Sequence, residues 1–214
     1  MRKGYFISFE GVDGSGKSTQ IKKLYEFFTA KGYEVVLTRE PGGTDIGEKI
    51  REIILDKSNA DMAYMTEALL YAASRAQHVS EVIAPAVEAG KIVICDRFVD
   101  SSIAYQGCGR QLGDCVEIIN RCAVNECMPD ITFLMKVRPD VSISRMKDRE
   151  LDRIEMENME FYKRVSEGYD KLEKECPERI IGIDADGTIE DIESAILAHM
   201  EKLIHTGRQE AGTD

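Results

Sequence analysis

A glycine-rich stretch near the N-terminus constrains this chain more than any other feature of its sequence. Residues 11–18 (GVDGSGKS) match the spacing G-x-x-x-x-G-K-[ST], and they directly follow an apolar run at residues 5–9. An amphipathic pattern with helical spacing then runs over residues 19–28. The sequence therefore predicts a strand, a phosphate-binding turn and a helix in succession, which is how a P-loop NTPase fold begins.

Four further runs of apolar and β-branched residues predict strands at residues 35–38, 92–95, 131–137 and 180–183. Longer stretches with helical spacing separate these runs, so strands and helices alternate along the chain. We expect an α/β fold, with a parallel sheet flanked by helices on both faces.

The length of the chain, 214 residues, suits one domain with a substantial core. Thr188 followed by Asp191 predicts the start of a C-terminal helix with one buried face. We predict a single domain over residues 1–205 and a polar, frayed tail over residues 206–214.

Composition and charge argue against several classes of protein. Asp and Glu outnumber Lys and Arg by 39 to 28, which disfavours a broad basic surface for nucleic acid. No apolar run has the length of a membrane span and the N-terminus does not read as a secretory signal, so we expect a cytoplasmic protein without a membrane partner. The six cysteines form no CxxC pair, which favours reduced thiols over a zinc site.

The glycine-rich stretch has a direct chemical interpretation. Glycines let the turn curl so that successive N–H groups face phosphate oxygens, and the helix N-terminus adds a partial positive charge. Lys17 is expected to reach the β- and γ-phosphates of ATP, while Ser18 and Asp96, the latter at the end of a buried strand, are the candidate ligands of Mg²⁺. The predicted phosphate site comprises Gly11, Val12, Asp13, Gly14, Ser15, Gly16, Lys17, Ser18 and Thr19.

The remaining signals favour transfer to a small acceptor. GTPases share the glycine-rich turn but also carry an Asn-Lys-x-Asp stretch, which this sequence lacks. Residues 142–160 are crowded with charges of both signs, which is typical either of a solvated helix surface or of a flap that closes over phosphates. We predict a lid over about residues 142–156, and a kinase that acts on small phosphorylated molecules.

Four further stretches are specific in combination: residues 38–44 (TREPGGT), 96–98 (DRF), 104–107 (AYQG) and 151–155 (LDRIE). Together with the glycine-rich turn, they resemble the thymidylate kinase family, whose members phosphorylate dTMP to dTDP with ATP and Mg²⁺. The resemblance extends from about residue 5 to residue 203. It implies a three-layer P-loop fold around a five-stranded parallel sheet, a lid over ATP and a homodimer.

The resemblance assigns acceptor-binding residues one by one. Arg97 matches the arginine that bridges the donor and acceptor phosphates, and Arg51 matches one that holds the acceptor phosphate. Arg75 matches the arginine that hydrogen-bonds a thymine oxygen, and Tyr71 matches the aromatic residue that stacks on the base. Ser102 and Gln106 match residues that contact the pyrimidine. Tyr105 matches the ring that crowds the sugar 2′ position, and Asp13 matches the carboxylate at the 3′-hydroxyl.

On the donor side, Arg145 matches the arginine that packs on adenine, and Ala185 lies in the loop that contacts adenine. Arg149 and Arg153 match lid arginines that reach the transferring phosphate. One branch of the family has an arginine where this chain has Gly14, so we expect the lid to supply the mobile positive charge.

Two alternatives stay open at the level of sequence. Phe98 replaces the Tyr or His common after Asp-Arg, and Tyr71 stands where Phe is frequent, so the acceptor could instead be dUMP or a deoxynucleoside. The other alternative is a nucleotide-binding regulator without transfer. Asp96, Arg97 and the lid arginines argue against a regulator, because such charges act on a transition state rather than on binding alone.

Overall fold

The fold is built on one parallel sheet. A computed structural model of the chain describes residues 4–138, 141–142, 145 and 152–210. Its five strands pair in the order β2-β3-β1-β4-β5, with every neighbouring pair parallel. They are β1 (Tyr5–Glu10), β2 (Val35–Arg39), β3 (Ile92–Asp96), β4 (Ile131–Lys136) and β5 (Ile180–Asp184). The predicted five-stranded α/β fold is thus confirmed.

Helices connect the strands and cover both faces of the sheet. The helices whose bounds the structure defines are α1 (Lys17–Ala30), α2 (Asp45–Leu55), α3 (Tyr64–His78), α4 (Ala84–Glu88), α5 (Val99–Ser102), α6 (Cys115–Val124), α7 (Met159–Glu175) and α8 (Ile189–Glu210). Two π-helical segments, Val79–Ile83 and Ile103–Gly109, join α3 to α4 and continue α5. Among the described helices, none is both long and apolar enough to cross a bilayer.

The core lies on both sides of the sheet because alternate residues of a strand face opposite ways. Ile7 and Phe9 of β1 pack in one cluster with Leu24 of α1 and Ile196 of α8. Phe6, between them in sequence, packs in the other cluster. Both faces of the strand are therefore apolar, as expected for a parallel sheet covered by helices on both sides.

The C-terminal helix forms where it was predicted but is longer. The Thr188 hydroxyl oxygen accepts a hydrogen bond from the Asp191 N–H at 3.2 Å and caps α8, which buries Ile192, Ile196 and Met200. The helix runs to Glu210, so the prediction of a frayed tail from residue 206 is wrong for residues 206–210. Once a helix is nucleated, each further residue adds a hydrogen bond at little cost. Residues 211–214 lie outside the described residues.

The pairing of β1 with β3 brings two turns together at one edge of the sheet. Phe9 lies opposite Asp96, and the Arg97 N–H continues the ladder by donating to the Phe9 carbonyl at 2.9 Å. The glycine-rich turn after β1 and the turn after β3 are therefore neighbours. In open α/β sheets, ligands bind at this carboxyl edge.

A buried ion pair fixes α5, which follows β3, to the start of β5. Asp100 is 1% exposed, and its two carboxylate oxygens accept from the two terminal nitrogens of Arg179 at 2.7 and 2.8 Å. Thr132 of β4 also donates to this carboxylate at 3.3 Å. Such a pair is costly to break from one side, because the remaining charge stays buried.

We predict that Arg179→Met lowers the free energy of unfolding by about 3 kcal/mol, because it leaves the Asp100 carboxylate buried without its cation. Urea unfolding followed by circular dichroism measures the change. Lys171→Met is the matched control, since Lys171 forms an exposed pair with Glu175 and its loss is expected to cost under about 0.5 kcal/mol. A change at Arg179 no larger than that of the control would contradict the assignment.

Candidate active site

The backbone of the glycine-rich turn adopts conformations that would be strained for residues other than glycine. Gly11, Gly14 and Gly16 have φ angles of 128°, 73° and 93°. A Cβ on Gly11 would also lie 2.6 Å from the Met135 carbonyl oxygen. Gly16 is the N-cap of α1, so the turn delivers the chain directly to the N-terminus of this helix. The turn has the form expected of an anion-binding site.

Lys17 lies folded back on the turn. Its Nζ donates to the carbonyl oxygens of Gly11 and Val12, each at 3.1 Å, and the residue is 7% exposed. Burial and the nearby Arg97 lower the pKa of this ammonium to about 8, against the raising effect of Asp13 and other carboxylates. A bound polyanion would favour the charged form of Lys17.

Arg97 lies between the two turns with its charge held in place. It has a φ of 69°, a left-handed conformation that only a well-supported turn imposes on an arginine. Its Nη2 donates to Asp13 at 2.9 Å, and its guanidinium carbon lies 5.2 Å from the centre of the Tyr105 ring. Burial alone would lower its pKa, but Tyr105 and Asp13 outweigh burial and raise the pKa well above the usual value. Arg97 is thus a fixed cation.

Glu10, the last residue of β1, forms hydrogen bonds with the segment that follows Arg97. Its carboxylate is fully buried and accepts from the Phe98 N–H at 2.7 Å, from Ser101 and from the Tyr169 hydroxyl at 3.0 Å. Sequence reasoning missed Glu10, although the signal that selected Asp96, a charged residue ending a buried strand, is present there too. Its role is to hold the backbone that carries Arg97.

Burial, and after it the charge of Asp100, raises the pKa of the Glu10 carboxyl to about 7. The hydrogen bond from Ser101, the charge of Arg97 and the Phe98 N–H act against this shift. Glu10 therefore changes its charge near neutral pH, within the support of the Arg97 turn.

The far end of the cleft is organised by Arg75, which is 1% exposed. Its Nε donates to Glu40 at 2.8 Å and its Nη2 donates to the Phe98 carbonyl at 3.1 Å. Its Nη1 donates to Ser102 at 2.9 Å and to Asn120. An arginine held by so many acceptors is rigidly placed in the lining of the cleft.

A second pair of arginines lies beside the turn after β2. The Nη1 atoms of Arg39 and Arg51 each donate to the Pro41 carbonyl oxygen at 2.9 Å. Arg39 also pairs with Glu48 at 2.9 Å. Arg51 was a predicted phosphate ligand, whereas Arg39 was missed although it stands inside the TREPGGT stretch. The two guanidinium groups concentrate positive charge where an acceptor phosphate is expected.

One cleft of about 420 Å³ collects most of the predicted site. The predicted residues that line it are Asp13, Gly14, Ser15, Gly16, Lys17, Ser18, Thr19, Arg51, Tyr71, Arg75, Asp96, Arg97, Ser102, Tyr105, Gln106 and Arg145. The carbonyl oxygens of Gly11 and Val12 accept hydrogen bonds from Lys17. The Ala185 carbonyl oxygen accepts from Arg145 at 3.3 Å. Arg145 also donates to the Gly14 carbonyl at 3.2 Å, which places it at the phosphate end.

The structure does not bring Arg153 into the cleft. Its Nε donates to the Ile54 carbonyl at 2.7 Å, its Nη2 donates to Glu67 at 2.8 Å, and the residue is 8% exposed. In this structure Arg153 pairs with a buried carboxylate instead of lining the cleft, and its contact with the transferring phosphate stays a prediction. Arg149, the other predicted lid arginine, lies outside the described residues.

The residues at the phosphate end fit Mg²⁺ without forming a closed cage. Ser18 and Asp96 both line the cleft and offer a hydroxyl and a carboxylate oxygen. Within the described residues, no group of three or more His, Cys, Asp or Glu could hold a metal ion. Mg²⁺ is usually bound by one or two protein oxygens together with substrate phosphates and water, which matches this donor set.

Comparisons with known proteins agree with this geometry. The profile of a family described as thymidylate kinase matches residues 9–196. The curated thymidylate kinase of an Exiguobacterium species is 50% identical over 209 residues, which cover 96% of this chain and 99% of the relative. That of a Thermoanaerobacter species is 52% identical over 183 residues, or 85% and 90% of the two chains. The crystal structure of thymidylate kinase from Ehrlichia chaffeensis matches with a TM-score of 0.76 at 33% identity, over 93% of this chain and 99% of that one.

We predict that the raised pKa of Glu10 costs stability as the pH rises. The folded chain keeps the proton up to about pH 7 whereas the unfolded carboxyl loses it near 4.5, so stability falls between these values. Glu10→Gln removes this component, and the difference in unfolding free energy between wild type and variant should change by about 3 kcal/mol from pH 5 to pH 8.

Urea unfolding at four pH values measures this difference. Glu160→Gln, at an exposed position of α7, is the control and should keep the wild-type pH dependence. Parallel pH profiles for wild type and Glu10→Gln would contradict the shift.

Proposed function

The chain belongs to the thymidylate kinase family, which phosphorylates dTMP to dTDP, and we propose that it does so by in-line transfer of the γ-phosphoryl group of ATP in the presence of Mg²⁺. ATP is held at the glycine-rich turn and dTMP at the end of the cleft near Arg75. We expect this reaction to take place in the cytoplasm, where both nucleotides are available.

One observation carries the proposal: Arg97 is fixed between the two ends of a single cleft. It contacts Asp13 of the phosphate-binding turn on one side and the Tyr105 ring on the other. A binding module without transfer has no use for a cation locked between two anion sites. A phosphotransferase needs one there, because charge spreads over the moving phosphoryl group in the transition state.

The chemistry asks for alignment and charge rather than for a general base. A nucleoside monophosphate has its second pKa near about 6, so its phosphate oxygen is already a nucleophile at neutral pH. The obstacle is repulsion between two polyanions, and Lys17, Arg97 and Arg51, which line the same cleft, reduce it. Mg²⁺, held by Ser18 and Asp96 with the ATP phosphates, would neutralise further charge on the donor.

The acceptor end supports a pyrimidine deoxynucleotide. The base is expected to lie against Arg75, which is rigidly held, and Ser102 and Gln106 lie beside it in the cleft lining. Tyr71 offers a ring for stacking on the base. The Tyr105 hydroxyl is buried without a hydrogen-bond partner among the described residues, and its ring is poised to exclude a 2′-hydroxyl.

An acceptor panel tests the proposal against its alternatives. ADP release from ATP and Mg²⁺ is measured with dTMP, dUMP, thymidine, dGMP and ribo-TMP as acceptors. We expect the highest kcat/KM with dTMP. Preference for a nucleoside or a purine would overturn the acceptor assignment, and ADP release that ignores every acceptor would favour a regulator.

We predict that Arg97→Ala lowers kcat by about a thousandfold while the Kd for ATP changes little, because the lost charge acts mainly in the transition state. A coupled assay gives kcat and isothermal titration calorimetry gives Kd. Lys163→Ala, at an exposed position of α7, removes a positive charge away from the cleft and should leave both values unchanged. Equal loss of kcat and affinity would contradict the assigned role.

We also propose that the chain forms a homodimer through an apolar face of α2, α3 and α6. These helices pack on one another in the order α2, α3, α6. Their exposed apolar residues are Ile46, Ile53, Tyr64, Met65, Leu69 and Ile118. Large apolar side chains grouped on adjacent helices are typical of a surface buried in an assembly, and a second copy is the simplest occupant.

We predict that Leu69→Glu converts the protein from a dimer of twice 24.0 kDa to a monomer, because the carboxylate would be buried at the interface. Light scattering after size exclusion gives the mass. Leu37→Glu is the control, since Leu37 is 45% exposed on β2, away from this face. A monomeric wild type, or a dimeric Leu69→Glu, would contradict the proposal.

A further inference from the structure

Glu67 is a buried carboxylate with an unusual set of partners. It is 0% exposed, in the first turn of α3, and it does not line the cleft. It accepts from the side-chain amide of Gln106 at 3.0 Å, from Arg110 at 3.1 Å and from Arg153 at 2.8 Å. Through Arg153, the acceptor end of the cleft is thereby tied to the last residues of the predicted lid.

The arginines are themselves held rigidly. The guanidinium carbon of Arg110 lies 4.6 Å from the centre of the Tyr64 ring and 4.7 Å from the centre of the Phe161 ring. It also pairs with Glu157. Two fixed guanidinium groups donate to the oxygens of Glu67, which therefore acts as an acceptor toward its partners.

This charge fixes which way the Gln106 amide points. A carboxylate accepts but does not donate, so the NH₂ end of Gln106 must face Glu67. The carbonyl end, Oε1, is left for the cleft, which Gln106 lines. Gln106 lies in the π-helical segment Ile103–Gly109, where the widened turn directs its side chain between α3 and the cleft.

We propose that Glu67 is a positioning residue that sets the base specificity of the acceptor site, by locking Gln106 with its oxygen toward the base. The inference rests on the proposed function, in which the base of dTMP lies against Arg75 and Gln106. Glu67 touches neither the substrate nor the transferring phosphate.

The locked amide is complementary to one edge of a pyrimidine. Thymine and uracil present a donor at N3–H, which matches the Oε1 acceptor of Gln106. Cytosine presents a bare N3, so an acceptor would meet an acceptor there. A site built to hydrogen-bond one pattern rejects the other strongly, because buried polar groups are left unpaired.

Glu67→Gln tests the lock. An amide at position 67 can turn either its oxygen or its nitrogen toward Gln106, so Gln106 can flip and present NH₂ to the N3 of cytosine. We expect the ratio of kcat/KM for dTMP to that for dCMP to fall at least about tenfold. The ratio is measured with both nucleotides competing in one reaction, so a loss of folded enzyme does not alter it.

Two further variants keep the test decisive. Glu157→Gln is the matched control, because it removes the other carboxylate on Arg110 without touching Gln106, and it should keep the wild-type ratio. The exchange Glu67→Gln with Gln106→Glu returns an acceptor-only group to the cleft, facing an amide donor at position 67. We expect the exchange to recover most of the lost preference for dTMP over dCMP. If Glu67→Gln does not fold, the ratio of the exchange variant alone tests the proposal.

The outcomes separate this inference from the function on which it rests. A wild type that does not phosphorylate dTMP refutes the function itself. A wild type that does so, with an unchanged ratio in Glu67→Gln or an equal fall in Glu157→Gln, overturns the role of Glu67. An exchange variant that accepts dCMP as readily as dTMP also overturns it.

Discussion

The site depends on the pairing of β1 with β3. Because Phe9 lies opposite Asp96 and the Arg97 N–H donates to the Phe9 carbonyl, the two strands end together. The chain then leaves one strand as a phosphate-binding turn and the other as the turn that carries Arg97. A shift of one residue in this register would turn alternate side chains to the opposite face and separate Arg97 from Asp13. The buried carboxylate of Glu10 secures the arrangement from inside.

Electrostatics explain how an acidic chain binds two polyanions. The net charge is −11, yet the cleft gathers Lys17, Arg51, Arg75 and Arg97. Buried or partly buried carboxylates fix several of these cations: Asp13 holds Arg97 and Glu40 holds Arg75. Preorganised charge of this kind acts on the transition state without reorganising at the moment of transfer. The same principle extends to Glu67, which acts on the base through an uncharged amide.

Sequence was sufficient for the fold and for most of the cleft, because apolar periodicity and the glycine spacing are local signals. It did not predict the partners of side chains that could pair with more than one group. Arg153 matched a lid arginine, but burial beside Glu67 decided its position. Glu10 and Glu67 were missed because a buried carboxylate is recognised by its partners, which lie up to 159 residues away in the chain for Glu10. The end of α8 was misplaced because helix propagation needs no pattern of its own.

The central claim is that one cleft holds both nucleotides with Arg97 between their phosphates. A crystal structure with dTMP and a non-hydrolysable ATP analogue tests it most directly. The account predicts the analogue's terminal phosphate at the glycine-rich turn and Lys17, the dTMP phosphate beside Arg97, and the base against Arg75. An empty turn, or a pyrimidine bound away from Arg75, would contradict it.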